Sequence, residues 1–308
     1  MSDLPTAADM EEIAGATAPA TPELVLGESL LCAGLADMVA VVPAEAKIAM
    51  LERIADCGFR RIALTSLSDP AGVPQFADAE VVLRGARRRP GLVFSAACPD
   101  ALAVRRALVA LDGGWGPEEI ALLVPASEAE AQRSLGCSRA EHWDRVVAMA
   151  ALGRGNFSLA ATISVAFDCP TDGPTTPERV REDAERLAEL GVTHIGIGDT
   201  AGSATPPRVR DLIGWLHGAL PTATFIAQFA DVRGTGIANT LAAIEAGLTH
   251  ADATLGGIGG RLAGGRAGNT RTEDLAGVLE AMGFGTGLDL TKLRAASQAA
   301  EALLDRPR

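Results

Sequence analysis

The sequence predicts a single α/β domain folded as a closed (β/α)8 barrel. Short apolar runs alternate with amphipathic helices eight times over about 250 residues, the chain length that a closed eight-strand parallel barrel requires. A short plan recurs at three helix ends: Glu52–Phe59, Glu185–Val192 and Ala242–Leu248 each close a helix on glycine. One apolar and two polar residues then lead into the next strand. The alternative, a doubly wound sheet, lacks the Gly-x-Gly-x-x-Gly turn that would follow its first strand.

Residues 1–22 are Ala, Thr, Pro and acidic residues without periodicity and are expected to form a disordered arm. The barrel domain then spans 23–308. Its first strand is Leu24–Leu26. A helix opens at Pro43, buries Ile48, Leu51 and Ile54, and stops at Gly58. Ile62–Leu67 and Leu92–Ala97 are the second and third strands, the latter leading into a helix at Pro99-Asp100. Glu119–Val124 is the fourth strand, followed by a long connection and a capping box of Ser138 and Glu141. Leu159–Val165, Thr193–Ile197, Thr224–Gln228 and His250–Thr254 complete the strands. Helices open near Thr176-Pro177, Pro206-Pro207, Ala238-Asn239 and Thr272-Glu273. An extra C-terminal helix, Leu290–Leu304, carries Leu290, Leu293, Ala296, Ala300, Leu303 and Leu304 on one stripe. That stripe either folds back across the barrel or meets another chain.

Composition narrows the function classes. The 308 residues are 48% hydrophobic, enough to bury a large core. A formal net charge of −12 argues against a nucleic-acid partner, and 4% aromatics with no Tyr argues against base-stacking platforms. No apolar run approaches a membrane span and no secretory leader opens the chain, so a cytoplasmic protein without a membrane partner is expected. Five scattered cysteines (Cys32, Cys57, Cys98, Cys137, Cys169) include no Cys-x-x-Cys pair, so neither a disulfide scaffold nor a zinc ribbon is predicted.

Chemistry on this fold sits at the C-terminal ends of the strands. The rim gathers Glu28-Ser29, Ser66-Leu67-Ser68-Asp69, Cys98-Pro99-Asp100, Ser127-Glu128, Asp168-Cys169-Pro170, Gly198-Asp199-Thr200 and Gln228 through Asp231. After the last strand a loop runs from Gly256 through Gly259-Gly260-Arg261 to Gly268-Asn269. Its glycines let backbone amides approach an anionic ligand or close over the site. Asp199 follows a glycine at the rim. It serves as an acid/base if burial raises its pKa, or caps the turn before the Pro206 helix. His194 and His250 start their strands on the opposite, stability face, and His142 and His217 belong to helices.

From Glu23 to Asp305 the chain resembles the 3-hydroxy-3-methylglutaryl-CoA (HMG-CoA) lyase family of barrel metallolyases. The matching motifs are Val73-Pro74-Gln75, Ala126-Ser127-Glu128, Asp168-Cys169-Pro170 and Gly198-Asp199-Thr200 with Gly202 and Thr205-Pro206. Ala238-Asn239-Thr240 and Gly268-Asn269-Thr270 with Thr272-Glu273-Asp274 complete them. The resemblance implies a retro-aldol cleavage to acetyl-CoA and acetoacetate, assisted by a divalent cation, in a protein that commonly dimerises.

The departures point elsewhere. Where the family carries an Arg-Asp pair after the first strand, this chain has Glu28-Ser29. Its strand-two glutamate falls on Ala63, its two metal-binding histidines on Gln228 and Ala230, and its loop cysteine on Arg261. Asp199 and Asn269 match a family carboxylate and a family metal ligand. Cys169 also matches, before a proline that suits a structural role.

No metal and no cofactor are therefore expected, nor the ordinary family reaction. One expectation is metal-independent carbon–carbon lyase chemistry on an acyl-CoA-type or similar anionic ligand. Asp199 would be the acid/base, Glu28 a second carboxylate, and Arg261 or Arg233 would polarise an oxygen. Ser29, Gln228, Asn269, Gly259 and Gly260 would contact substrate. The alternatives are a non-catalytic homologue that binds a ligand or partner subunit, and a rebuilt all-oxygen cation site of Glu28, Asp199, Gln228 and Asn269. A homodimer is expected from the resemblance.

Overall fold

The computed structural model describes residues 23–36, 38, 40–260 and 268–304. The expected arm and Arg261 lie outside the described residues. The barrel strands are β1 (Val25–Glu28), β2 (Arg61–Ser66), β3 (Val93–Ala97), β4 (Glu119–Pro125), β5 (Ser158–Ser164), β6 (His194–Asp199), β7 (Thr224–Phe229) and β8 (His250–Ala253). They close in sequence order, each parallel to its neighbours, with β1 pairing both β2 and β8. This is the (β/α)8 barrel that the sequence predicts.

The helices are α1 (Ala44–Ala55), α2 (Ala79–Gly85), α3 (Ala101–Asp112), α4 (Glu128–Leu135), α5 (Arg139–Gly153), α6 (Pro177–Glu189), α7 (Pro206–Ala219), α8 (Gly236–Glu245), α9 (Thr272–Ala281) and α10 (Leu290–Leu304). The capping box at Ser138 and Glu141 opens α5, and Thr176 caps α6 with Pro177 in its first turn. Two helices escape the sequence reading. One is the short α2. The other is α4 inside the connection after β4, where Ser127 accepts from the Glu130 amide and left-handed Gly136 ends the helix. The start of α8 is also two residues earlier than expected, because the Asp231 carboxylate accepts from the Gly236 amide at 2.7 Å.

Outward-facing strand residues such as Ile62, Leu64, Phe94, Ile120, Ile195 and Ile197 are fully buried under the helices. The apolar stripe of α10 folds back: Leu293, Ala296 and Ala300 are buried, and the helix packs on α1, α9 and the turn at Leu255–Gly257. Among the described residues no helix is long and apolar enough to cross a membrane.

Candidate functional site at the barrel mouth

A cavity of about 400 Å³ opens at the C-terminal ends of the strands and runs into the barrel. That volume is in the range of small-molecule sites. Asp199, the last residue of β6, lies on its wall and is 1% exposed. Its two carboxylate oxygens accept from the amides of Ser203 and Ala204, each at 3.0 Å. Burial pushes the carboxyl above the ordinary aspartate range, with the nearby Asp168 charge adding to the effect. Next to it, the Thr200 hydroxyl accepts from the Val165 amide at 3.0 Å. Val165 is held at φ 49°, the one non-glycine residue with positive φ among those described, so the turn after β5 stores strain beside the site.

Gln228 also lines the cavity, but both ends of its amide are engaged. Oε1 accepts from the Thr162 hydroxyl at 2.9 Å and Nε2 donates to Asp252 at 2.8 Å. Ser29 donates to the Ala253 carbonyl at 3.0 Å, and Asn269 donates through Nδ2 to the Ile258 carbonyl at 3.1 Å. Gly259 and Gly260 explain how the loop lies against Asn269. They adopt φ 95° and 76°, and a Cβ on Gly260 would stand 2.9 Å from the Asn269 Oδ1. Gly260, Ser29 and Asn269 line the cavity together with Asp199 and Gln228.

Glu28 stands elsewhere. Strand β1 continues two residues past its expected end, so Glu28 belongs to the strand rather than to the rim loop. Its carboxylate accepts from the amides of Leu30 and Leu255 and from the Thr272 hydroxyl, bracing β1 to α9 away from the cavity wall. Burial pushes its carboxyl up to about 7. Arg233 is exposed in the loop after β7, where its charge reaches Asp168 rather than the cavity. Cys32 and Cys98 line the cavity as thiols, both pushed up to about 12 by burial, which leaves them without thiolate character.

The sequence reading misses the lower half of the site. Arg61 donates through Nε to Glu119 and through Nη1 to Asp252, both at 2.8 Å, and His194 Nδ1 lies 3.3 Å from Glu119. Arg61, Ser95, Thr162, His194 and Asp252 all face the cavity. Charged residues within otherwise apolar strands were the available signal, since in a barrel such residues face the lumen.

The donor set does not fit the divalent cation implied by the family resemblance. Ala230 has no donor, Ser29 and Gln228 already hold protein partners, and Glu28 faces away. No group of three His, Cys, Asp or Glu side chains among the described residues is arranged to hold a metal.

Comparison with known proteins agrees with the motifs. The HMGL-like family model matches residues 30–300. The mitochondrial hydroxymethylglutaryl-CoA lyase of Rattus norvegicus is 32% identical over 262 residues, covering 84% of this chain and 79% of the rat protein. The cytoplasmic 3-hydroxy-3-methylglutaryl-CoA lyase of Mus musculus is 32% identical over 267 residues, covering 86% and 76%. Among solved structures, HMG-CoA lyase from Brucella melitensis superposes with a TM-score of 0.87 at 32% identity, over 92% of this chain and 99% of that one. The A. baumannii HMG-CoA lyase in complex with coenzyme A and 3-methylmalate gives 0.85 at 28%, over 94% and 93%. With its barrel, its motifs and this extent of similarity, the chain belongs to the HMGL-like family of HMG-CoA-lyase-related proteins.

Proposed function

We propose that this chain is a lyase of altered chemistry. It would cleave a carbon–carbon bond in an acyl-CoA-type or similar anionic substrate at the barrel mouth, without the family's divalent cation. The observation that carries the reading is Asp199, a buried carboxyl on the cavity wall whose proton affinity is raised by burial. In the ionised form it takes the proton of a substrate hydroxyl; the carbon–carbon bond then breaks and its electron pair passes to the acyl fragment as an enolate. Protonated Asp199 returns the proton to that fragment. Ser29, Asn269 and Gly260 line the mouth where the substrate's oxygens would lie, and exposed Arg233, off the cavity wall, would meet an anionic part that projects beyond the mouth. The relative solved with coenzyme A and 3-methylmalate supports a CoA-bearing ligand and a hydroxy acid as the ligand class. Arg261 would join Arg233 in holding charge. A cytoplasmic homodimer belongs to the same proposal, in line with the cytoplasmic mouse relative; sedimentation at micromolar concentration tests the dimer.

A second reading, a non-catalytic ligand-binding homologue, is favoured by one specific observation. Both Asp199 oxygens are already held by backbone amides, as in a capped turn. Offering CoA thioesters of 3-hydroxy acids in the presence of a chelator separates the two. Cleavage that survives the chelator and is lost in Asp199→Asn supports the lyase. A melting shift without cleavage supports the binder. Neither response from any thioester overturns both.

A further inference from the structure

The lumen of this barrel is hollow. A (β/α)8 barrel ordinarily fills its interior with layers of bulky branched side chains. Here Ala63 of β2, Ala121 of β4 and Thr162 of β5 face the lumen and remain partly accessible, while outward-facing Ile62, Leu64 and Ile120 beside them are fully buried. The cavity therefore continues from Asp199 at the mouth down to Arg61 at the start of β2. Five residues of strand at about 3.3 Å each, tilted by about 36°, make that descent roughly 13 Å.

The lower end is chemically specific. Ser95 is 1% exposed and its hydroxyl has no hydrogen-bond partner, although a buried hydroxyl left unpaired is costly. Arg61 spends Nε on Glu119 and Nη1 on Asp252, and its Nη2 carries no hydrogen bond among the described residues. One guanidinium between two carboxylates leaves a formal charge of −1, with the His194 imidazole counted as neutral, and this repels an incoming carboxylate. An incoming ammonium is drawn to that charge but would have to stand beside the Arg61 guanidinium, against carboxylate oxygens that already accept: Glu119 from Arg61 beside His194, and Asp252 from Arg61 and Gln228. What the floor offers is a spare N–H and a spare hydroxyl, the complement of a neutral oxygen.

We propose that the lumen is a ligand chamber for a short aliphatic chain ending in a neutral hydroxyl or carbonyl oxygen, received by Ser95 and the Nη2 of Arg61. The inference rests on the mouth being a ligand site and names what the ligand carries at its far end: an acyl chain with a distal oxygen rather than a distal carboxylate.

Calorimetric titration with 1-hexanol, hexanoate and hexylamine tests it. The expected result is saturable binding of hexanol, at least tenfold tighter than either charged analogue. Ser95→Ala weakens hexanol about fivefold, the value of one hydrogen bond, and Ala121→Leu, which fills the lumen, removes binding. No saturable hexanol binding, a charged analogue that binds as tightly, or hexanol binding undiminished in both variants would overturn the proposal. Hexanol contains no thioester and nothing to cleave, so this result stands or falls independently of the lyase assay.

Discussion

Gln228 donates through Nε2 to the Asp252 carboxylate at 2.8 Å, tying β7 to β8 inside the barrel. Gln228, where the family resemblance implies a metal-binding histidine, is thus part of an internal brace. Its amide oxygen, the atom that could face a cation, accepts from Thr162 instead. Asp252 in turn is held by Arg61, so the brace reaches the floor of the cavity.

From this arrangement, titration with Mn²⁺ is expected to show no saturable site at the mouth, because the Gln228 oxygen is already held by Thr162 and turning the amide would also break its bond to Asp252. HMG-CoA is correspondingly expected to escape cleavage at ordinary enzymic rates, ~1 s⁻¹ or more, with or without added Mg²⁺. A coupled assay for acetoacetate checks the rate, and metal-dependent turnover of that size would show that the mouth does hold a working cation.

Asp199→Asn is expected to abolish carbon–carbon cleavage of the thioester substrate while costing about 1 kcal/mol of stability. Asparagine keeps one oxygen for the amides of Ser203 and Ala204, so one of the two hydrogen bonds is lost. Burial holds the wild-type carboxyl above its ordinary range, so the stability linked to its proton is present at low pH and lost as pH rises through the folded pKa. Parallel melting and turnover measurements check both effects. A loss of activity that only tracks the folded fraction would assign Asp199 to the turn alone.

The barrel, its strand order and most helix starts are legible because caps, glycine stops and apolar periodicity act locally. The site is legible where a motif marks it, as Gly198-Asp199-Thr200 does. Glu28 is not, because a strand's end decides its role, and a one-residue slip moves a side chain to the other face. Ala63 and Ala121 read as ordinary strand residues, since only closure of the barrel shows that they face inward and leave space. The Arg61–Asp252 contact joins residues far apart in sequence, beyond the reach of any local pattern.

Glu28→Gln is expected to change the pH dependence of folding rather than the site. The wild-type carboxyl titrates near 7 in the folded chain against 4.5 when unfolded, so the native state binds more protons between those values. Wild-type stability relative to the glutamine variant therefore falls as pH rises from 4.5 to 7, by on the order of 3 kcal/mol, and is constant above. Chemical denaturation at pH 4.5 and 7.5 measures the difference; equal stability gaps at both values would show that Glu28 is not buried as an acid.

Arg61→Met is expected to destabilise the fold strongly at neutral pH. Glu119 and Asp252 are 1% and 9% exposed, and removing their shared guanidinium strands two carboxylates in the lumen. Breaking a buried pair by deleting one partner costs about 3–5 kcal/mol. Burial without the guanidinium favours the protonated form of Glu119 in the folded variant, so the variant recovers stability as pH falls. The gap to wild type should therefore narrow between pH 7.5 and 4.5. Arg61→Lys should fall between the two, since an ammonium keeps the charge but cannot reach both carboxylates with the fork that Nε and Nη1 provide. Adding Glu119→Gln and Asp252→Asn to Arg61→Met removes the stranded charges and should restore part of the loss. Urea denaturation across the four proteins checks this order. An Arg61→Met variant within about 1 kcal/mol of wild type at pH 7.5, the range of an exposed pair, would mean that water already solvates the floor and that the lumen is open from below.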